Sequence, residues 1–177
     1  MPHKPLLNPS TWLSARDHSP RIGVQRLDSE TVVPVDLEHA FAFFSDARNL
    51  ERMTPPWLNF QITTPAPVVM TEGTLIDYRI SLYGVPIPWR TRIDVWEPGV
   101  RFVDRQIAGP YLWWRHEHLF ERVDGGTRVI DRVDYVPRAA ALSLWLVRRD
   151  VGRIFAFRQR VLAQLLAGEP AAARLTS

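Results

Sequence analysis

From Gly23 to Val136 the chain alternates polar and apolar residues in short runs broken by turn signals, and one long helical pattern follows. No other feature restricts the fold as much. Period-two runs send successive side chains to opposite faces of a strand, and breaks this short join antiparallel neighbours. Strands are expected at about residues 24–33, 58–64, 74–82, 88–96, 101–107, 112–123 and 127–136. The breaks fall at Pro65 and Pro67, Tyr83-Gly84, Glu97-Pro98-Gly99, Gly109-Pro110 and Asp124-Gly125-Gly126. After the first strand, Asp36 reads as the N-cap of a short helix with Leu37, Phe41 and Phe44 at helical spacing. A second helical turn around residues 48–53 stops at Pro55-Pro56, and a helix over about 139–167 closes the pattern. The expected class is α+β: a seven-stranded curved antiparallel sheet wrapped around a long C-terminal helix, with two short helices between strands 1 and 2. Residues 1–22 read as a flexible arm, 23–168 as one domain and 169–177 as a disordered tail.

Composition narrows the chemistry. The 177 residues include no cysteine, which excludes thiolate metal sites, cysteine nucleophiles and iron–sulfur clusters. No apolar run approaches the ~20 residues of a spanning helix. The first twenty residues carry no apolar stretch of the secretory type, so a cytoplasmic location is expected. Twenty-two basic residues, 21 of them arginine, face 19 acidic ones for a net charge of +3. The excess is uneven. From Pro137 onward seven arginines face only Asp150 and Glu169, giving +5, whereas residues 1–136 sum to −2.

Alternation sorts the strand residues by face. One face collects Ile76, Tyr78, Ile80 and Leu82; Trp89, Thr91, Ile93 and Val95; Phe102, Asp104 and Gln106; Trp114, His116, His118 and Phe120; Val129, Asp131, Val133 and Tyr135. The other is a lattice of arginines and acids, among them Asp77, Arg90, Arg92, Asp94, Arg101, Arg105, Arg128, Arg132 and Asp134. A solvated, self-neutralising surface is the plainer account of that lattice, because a single-strand-binding platform also wants exposed aromatics and here they point the other way. Nucleic acid is therefore not an expected partner.

The inward polar groups carry the candidate site. Tyr78, Asp104, Gln106, His116, His118, Asp131 and Tyr135 stand among Trp89, Phe102, Trp114 and Phe120, and buried polar groups need partners or water. They make either a polar-lined pocket or a satisfied hydrogen-bond network, and the two can coexist. Arg158 sits on the helical stripe of Val147, Val151, Ile154, Val161 and Leu165, where it needs a counter-ion. Asp104 and Asp131 are the available carboxylates, and a structural ion pair is favoured over an anion clamp. Gly152 in mid-helix suggests bending or close approach. His116-Glu-His118 places two imidazoles on one strand face, a spacing that with Asp104 or Asp131 can chelate a metal. The motif is too short to stand alone, and neither metal nor cofactor is expected. His116 or Tyr78 are the candidate acid–base groups, but there is no phosphate loop, nucleophile elbow or dinucleotide fingerprint.

The residues Asn49-Leu50 with Thr54-Pro55-Pro56, Trp89-Arg-Thr-Arg-Ile93, Phe102-Val-Asp104-Arg-Gln106 with Gly109-Pro110-Tyr111, Trp114-Arg-His116-Glu-His118-Leu-Phe120-Glu121, Asp131-Arg-Val-Asp-Tyr135 and Ile154-Phe155 with Phe157-Arg158 form a further pattern. Over about residues 24–167 it resembles the START-like helix-grip superfamily of polyketide cyclases and lipid-transport proteins, most of all an uncharacterised bacterial ligand-binding subfamily. The resemblance implies a hydrophobic cavity between the sheet and the last helix. It spans lipid carriers, ring cyclases and hormone receptors, so it does not by itself yield an activity. The expected function is binding of an apolar small molecule, with Tyr78, Trp89, Phe102, Asp104, Gln106, Trp114, His116, His118, Asp131, Tyr135 and Arg158 as contacts. The rivals are a cyclase or aromatase using His116 or Tyr78, and a module docking on a membrane or partner through Trp145, Leu146 and Phe157 of the basic helix.

Overall fold

The structure, a computed structural model, describes residues 23–138 and 144–167. The expected arm and tail, and the first residues of the expected last helix, lie outside these. Strand β1 (Gln25–Val33) leads to helices α1 (Leu37–Ser45) and α2 (Ala47–Met53). Strands β2 (Gln61–Ile62), β3 (Leu75–Leu82), β4 (Val85–Glu97), β5 (Arg101–Ala108), β6 (Tyr111–Val123) and β7 (Gly126–Pro137) follow, and helix α3 (Leu144–Ala167) closes the order. The sheet runs β1-β7-β6-β5-β4-β3-β2, antiparallel throughout. Among the described residues no helix is long and apolar enough to cross a membrane.

Local chemistry sets the boundaries. Asp36 caps α1 by accepting the His39 amide at 2.8 Å, and Asp46 caps α2 by accepting the Arg48 amide at 3.0 Å. The β3–β4 hairpin closes through Tyr83 and Gly84, both at positive φ (53° and 80°), as a two-residue turn with the twist of its strands requires. The strand expected over 58–64 is only two residues long. Pro56–Leu58 form a 3-10 turn instead, and Asn59 ends it in the left-handed region at φ 43°. Pro55-Pro56 supply the fixed φ for that turn.

Of three register shifts, the first between Arg90 and Thr91, two change which aromatic side chains face inward. Between Ile93 and Val95 the pairing of β4 with β5 slips, so Trp96 rather than Val95 stands opposite Phe102 on the inner face. A second slip between Tyr111 and Trp113 turns Tyr111 inward and leaves Leu112 exposed. Each of these two moves an aromatic ring to the core side.

Helix α3 lies across β1 and the inner face. Its buried residues are Val151, Phe155, Arg158, Leu162 and Leu166. Val151 and Arg158 keep their expected places, while Phe155, Leu162 and Leu166 are each buried one position past Ile154, Val161 and Leu165, which flank the stripe. A β-carbon on Gly152 would meet nothing within 4 Å, so no close approach explains that glycine. The main core joins Phe41, Phe43 and Phe44 of α1 to Phe102, Phe120 and Val129 of the sheet and to Leu162 and Leu166 of α3. Burying each such side chain contributes roughly 1.5–3 kcal/mol. A second cluster pairs Val133 and Tyr135 with Val151 and Phe155. Beyond these clusters, sheet and helix diverge.

Candidate functional site

The space between them is a cavity of about 400 Å³. Its floor is the inner face of β3–β6, its roof is α3, and α2 with the following 3-10 turn forms a side wall. One wall is aromatic. Tyr78 stacks on Trp89 with centroids 5.6 Å apart and 21° between planes, Phe60 lies 4.9 Å from Tyr78, and Trp114 meets Trp89 edge-on at 5.4 Å. The indole of Trp89 donates to the Thr91 hydroxyl at 3.2 Å, and the Tyr78 hydroxyl lies 3.4 Å from the same oxygen. Burial, reinforced by the Asp104 carboxylate, raises the Tyr78 phenol well above its usual 10, so it stays protonated. At the exposed end the Tyr83 hydroxyl donates to Asp150, tying the β3–β4 turn to α3.

The polar wall is a closed arrangement of four side chains. His116 and His118 stand two apart on β6, so their rings face the same way, with centroids 3.8 Å apart. Asp104 on β5 pairs across the ladder with His116, and Asp131 on β7 with His118. Each imidazole therefore lies between the two carboxylates. His116 Nε2 is 2.9 Å and His118 Nδ1 2.8 Å from Asp131 Oδ1, whereas His118 Nε2 is 3.2 Å and His116 Nδ1 3.5 Å from Asp104 Oδ2. Arg158 completes the group from α3, its Nε 3.3 Å from Asp131 Oδ2 and its guanidinium 5.1 Å above the Phe44 ring.

Burial opposes ionisation of Asp131, but Arg158 and the two histidine hydrogen bonds outweigh it and hold the carboxyl well below the usual range. Burial, then the neighbouring His118, lowers His116 below its ordinary 6.5 despite the adjacent acids. The favoured ion pair for Arg158 is thus made with Asp131.

Of the residues expected in the site, the cavity is lined by Tyr78, Trp89, Phe102, Asp104, Trp114, His116, His118 and Arg158. Three stand outside the lining. Gln106 is spent on the β5–β6 turn, its amide donating to the Tyr111 carbonyl at 2.8 Å. Tyr135 packs into the second core cluster, and Asp131 sits behind the histidines. Sequence reasoning missed Phe60, which the shortened β2 places at the wall, and Tyr111, which the β6 bulge turns inward. Of the three apolar side chains expected to be exposed on α3, only Trp145 is, at 60%. Leu146 lines the cavity and Phe157 packs on Trp57 at 5.5 Å.

A family model described as a domain of unknown function, DUF8410, matches residues 31–166. The chain belongs to that family. No curated protein matches it. Solved structures share its fold at low identity. The aromatase/cyclase ZhuI from Streptomyces sp. R1128 superposes with a TM-score of 0.68 at 16% identity, covering 84% of this chain and 98% of its own. Protein CV1439 from Chromobacterium violaceum gives 0.67 at 12% identity, covering 82% and 99%. The major latex-like protein 151 from Panax ginseng gives 0.62 at 10%, covering 81% and 97%. The curved seven-stranded sheet around α3 is therefore the helix-grip fold that the sequence pattern implied.

Proposed function

We propose that this DUF8410 protein binds a hydrophobic small molecule in the cavity between the sheet and α3. The observation that carries the reading is the cavity itself: about 400 Å³, walled by Tyr78, Trp89, Phe60 and Trp114, with Asp104, His116, His118 and Arg158 together on another wall. Small-molecule sites typically enclose roughly 300–1,000 Å³, mostly apolar, with a few polar groups that fix orientation. The ligand's apolar body lies against the aromatic wall, and a polar substituent reaches Asp104 or the histidines. Binding is favoured over acid–base catalysis because both ring nitrogens of His116 already face carboxylates and the Tyr78 phenol is held protonated. The membrane-docking rival keeps one exposed apolar contact, Trp145, of its three.

Replacing Leu146, on the roof, by tryptophan fills the cavity without touching the main core. Titration with an environment-sensitive anilinonaphthalene dye is expected to show binding to the wild type and at least about tenfold weaker binding to L146W, a loss of ~1.4 kcal/mol. Circular dichroism checks that both are folded. Undiminished dye binding in folded L146W overturns the reading.

A further inference from the structure

The polar wall sets more ring nitrogens against its carboxylates than two neutral imidazoles have protons to bridge. Four ring nitrogens of His116 and His118 face two carboxylate oxygens, Asp104 Oδ2 and Asp131 Oδ1. Two neutral imidazoles carry two N–H groups between them, so only two of the four contacts can be hydrogen bonds. The contacts to Asp131, at 2.9 and 2.8 Å, are the short pair, while those to Asp104, at 3.5 and 3.2 Å, are the long pair. Hydrogen-bond geometry is met on each side once, by His116 Nε2 with Asp131 Oδ1 and by His118 Nε2 with Asp104 Oδ2. On the Asp104 side two ring nitrogens and a carboxylate oxygen converge, and Asp104, His116 and His118 all line the cavity. Charging both rings instead would set two imidazolium ions with centroids 3.8 Å apart in a buried wall.

We propose that Asp104, His116 and His118 bind one divalent transition-metal ion of the zinc type at the cavity wall. Ligand bonds of about 2.0–2.1 Å in a tetrahedral zinc site place ligand atoms roughly 3.3 Å apart. Two edges, Asp104 Oδ2 to His118 Nε2 and to His116 Nδ1, measure 3.2 and 3.5 Å, and one ligand atom from each of the three residues lies within 4.8 Å of the others. Two imidazoles and one carboxylate suit zinc or iron(II) and are poor ligands for magnesium or calcium.

The surroundings fit as well. Metal-bound histidines normally set their other ring nitrogen against a carboxylate or carbonyl that fixes the tautomer, and Asp131 Oδ1 lies 2.9 and 2.8 Å from those nitrogens of His116 and His118. Arg158 comes from that same rear side, its Nη2 donating to His118 Nδ1 at 3.4 Å. Its charge offsets that of Asp131 and does not stand among the ligands. The fourth position opens into the cavity, where a water or an oxygen of the bound molecule completes the shell.

The test uses the full chain, treated with chelator and titrated with Co²⁺. The expected result is one Co²⁺ per chain with the intense visible bands of four-coordinate cobalt, bleached by one equivalent of Zn²⁺. Asp104→Asn, nearly isosteric and at the cavity edge, is expected to abolish the bands while the circular dichroism melt stays cooperative. Asp131→Asn keeps all three ligands and should weaken binding by about 10–100-fold with the bands retained. A folded wild type that binds no Co²⁺ overturns the site, as does binding that Asp104→Asn leaves unchanged. The dye titration on the same samples separates this failure from failure of the cavity reading, since that reading requires no metal.

Discussion

On the outer face of the sheet Arg26 holds Asp134 at 2.6 Å with 64% of the arginine side chain in solvent. On the inner face Arg158 lies 3.3 Å from Asp131 with the two side chains 8% and 5% exposed. The same pair of chemical groups thus appears under opposite conditions. Outside, carboxylates are shared along the ladder: Asp94 takes both Arg92 and Arg105, and Glu117 takes both Arg101 and Arg115. Water screens the exposed pairs, such as Arg90 with Asp77, and each adds little; Glu117, with 8% of its side chain in solvent, is the buried acid of this face. Inside, two carboxylates, two imidazoles and one guanidinium must satisfy one another, because no solvent replaces a missing partner. The outer lattice keeps the surface charge balanced; the inner group stores free energy in one arrangement and presents it to a cavity.

That contrast yields a graded set of outcomes. The largest is expected for Arg158→Met. It leaves the Asp131 carboxylate buried without its cation, and breaking such a pair typically costs about 3–5 kcal/mol, read from the urea midpoint of unfolding. A change under about 1 kcal/mol would show that the histidines alone hold Asp131. The pH dependence of the metal-free chain comes next. His116 is lowered, so as pH falls below 6.5 the unfolded chain takes up a proton that the folded one refuses, and stability declines. Asp131 is lowered as well, so its contribution is present above the ordinary carboxylate value of 3.8 and is lost as pH drops toward its folded value. Two stages of decline are therefore expected in the unfolding midpoint. Asp77→Asn, which removes an outer carboxylate bound to Arg90, should leave the upper stage untouched. The smallest effect belongs to Arg26→Ala, at no more than about 1 kcal/mol by the same urea assay and less in high salt. A loss as large as that of Arg158→Met would mean that the two faces do not differ as argued.

Much of this was legible in the chain itself. Period-two runs with short breaks dictated an antiparallel sheet, and the same alternation placed Asp104, His116, His118 and Asp131 on one face, because a strand allows only two directions. The Pro55-Pro56 pair marked where helix gives way, though not that a 3-10 turn ending at Leu58 and a left-handed Asn59 would shorten the next strand to Gln61–Ile62. Bulges escaped, since an extra residue in one strand shows only against its partner, and they carried Trp96 and Tyr111 inward. The burial of Phe155, Leu162 and Leu166 on α3 escaped for a similar reason: neighbouring apolar positions on a helix are compatible with two adjacent settings until a sheet selects one.

The amino-acid sequence by itself determined the class of fold, the inward set of polar residues and the need of Arg158 for a carboxylate, because these follow from periodicity and from the free energy of burying charge. Only the tertiary structure decided that Asp131 is the carboxylate, that Gln106 and Tyr135 are spent on packing, and that Asp104 faces the cavity with two imidazole nitrogens beside it. Those are matters of distances between strands far apart in the chain, set by cross-strand register to tenths of an ångström, and no local pattern encodes them.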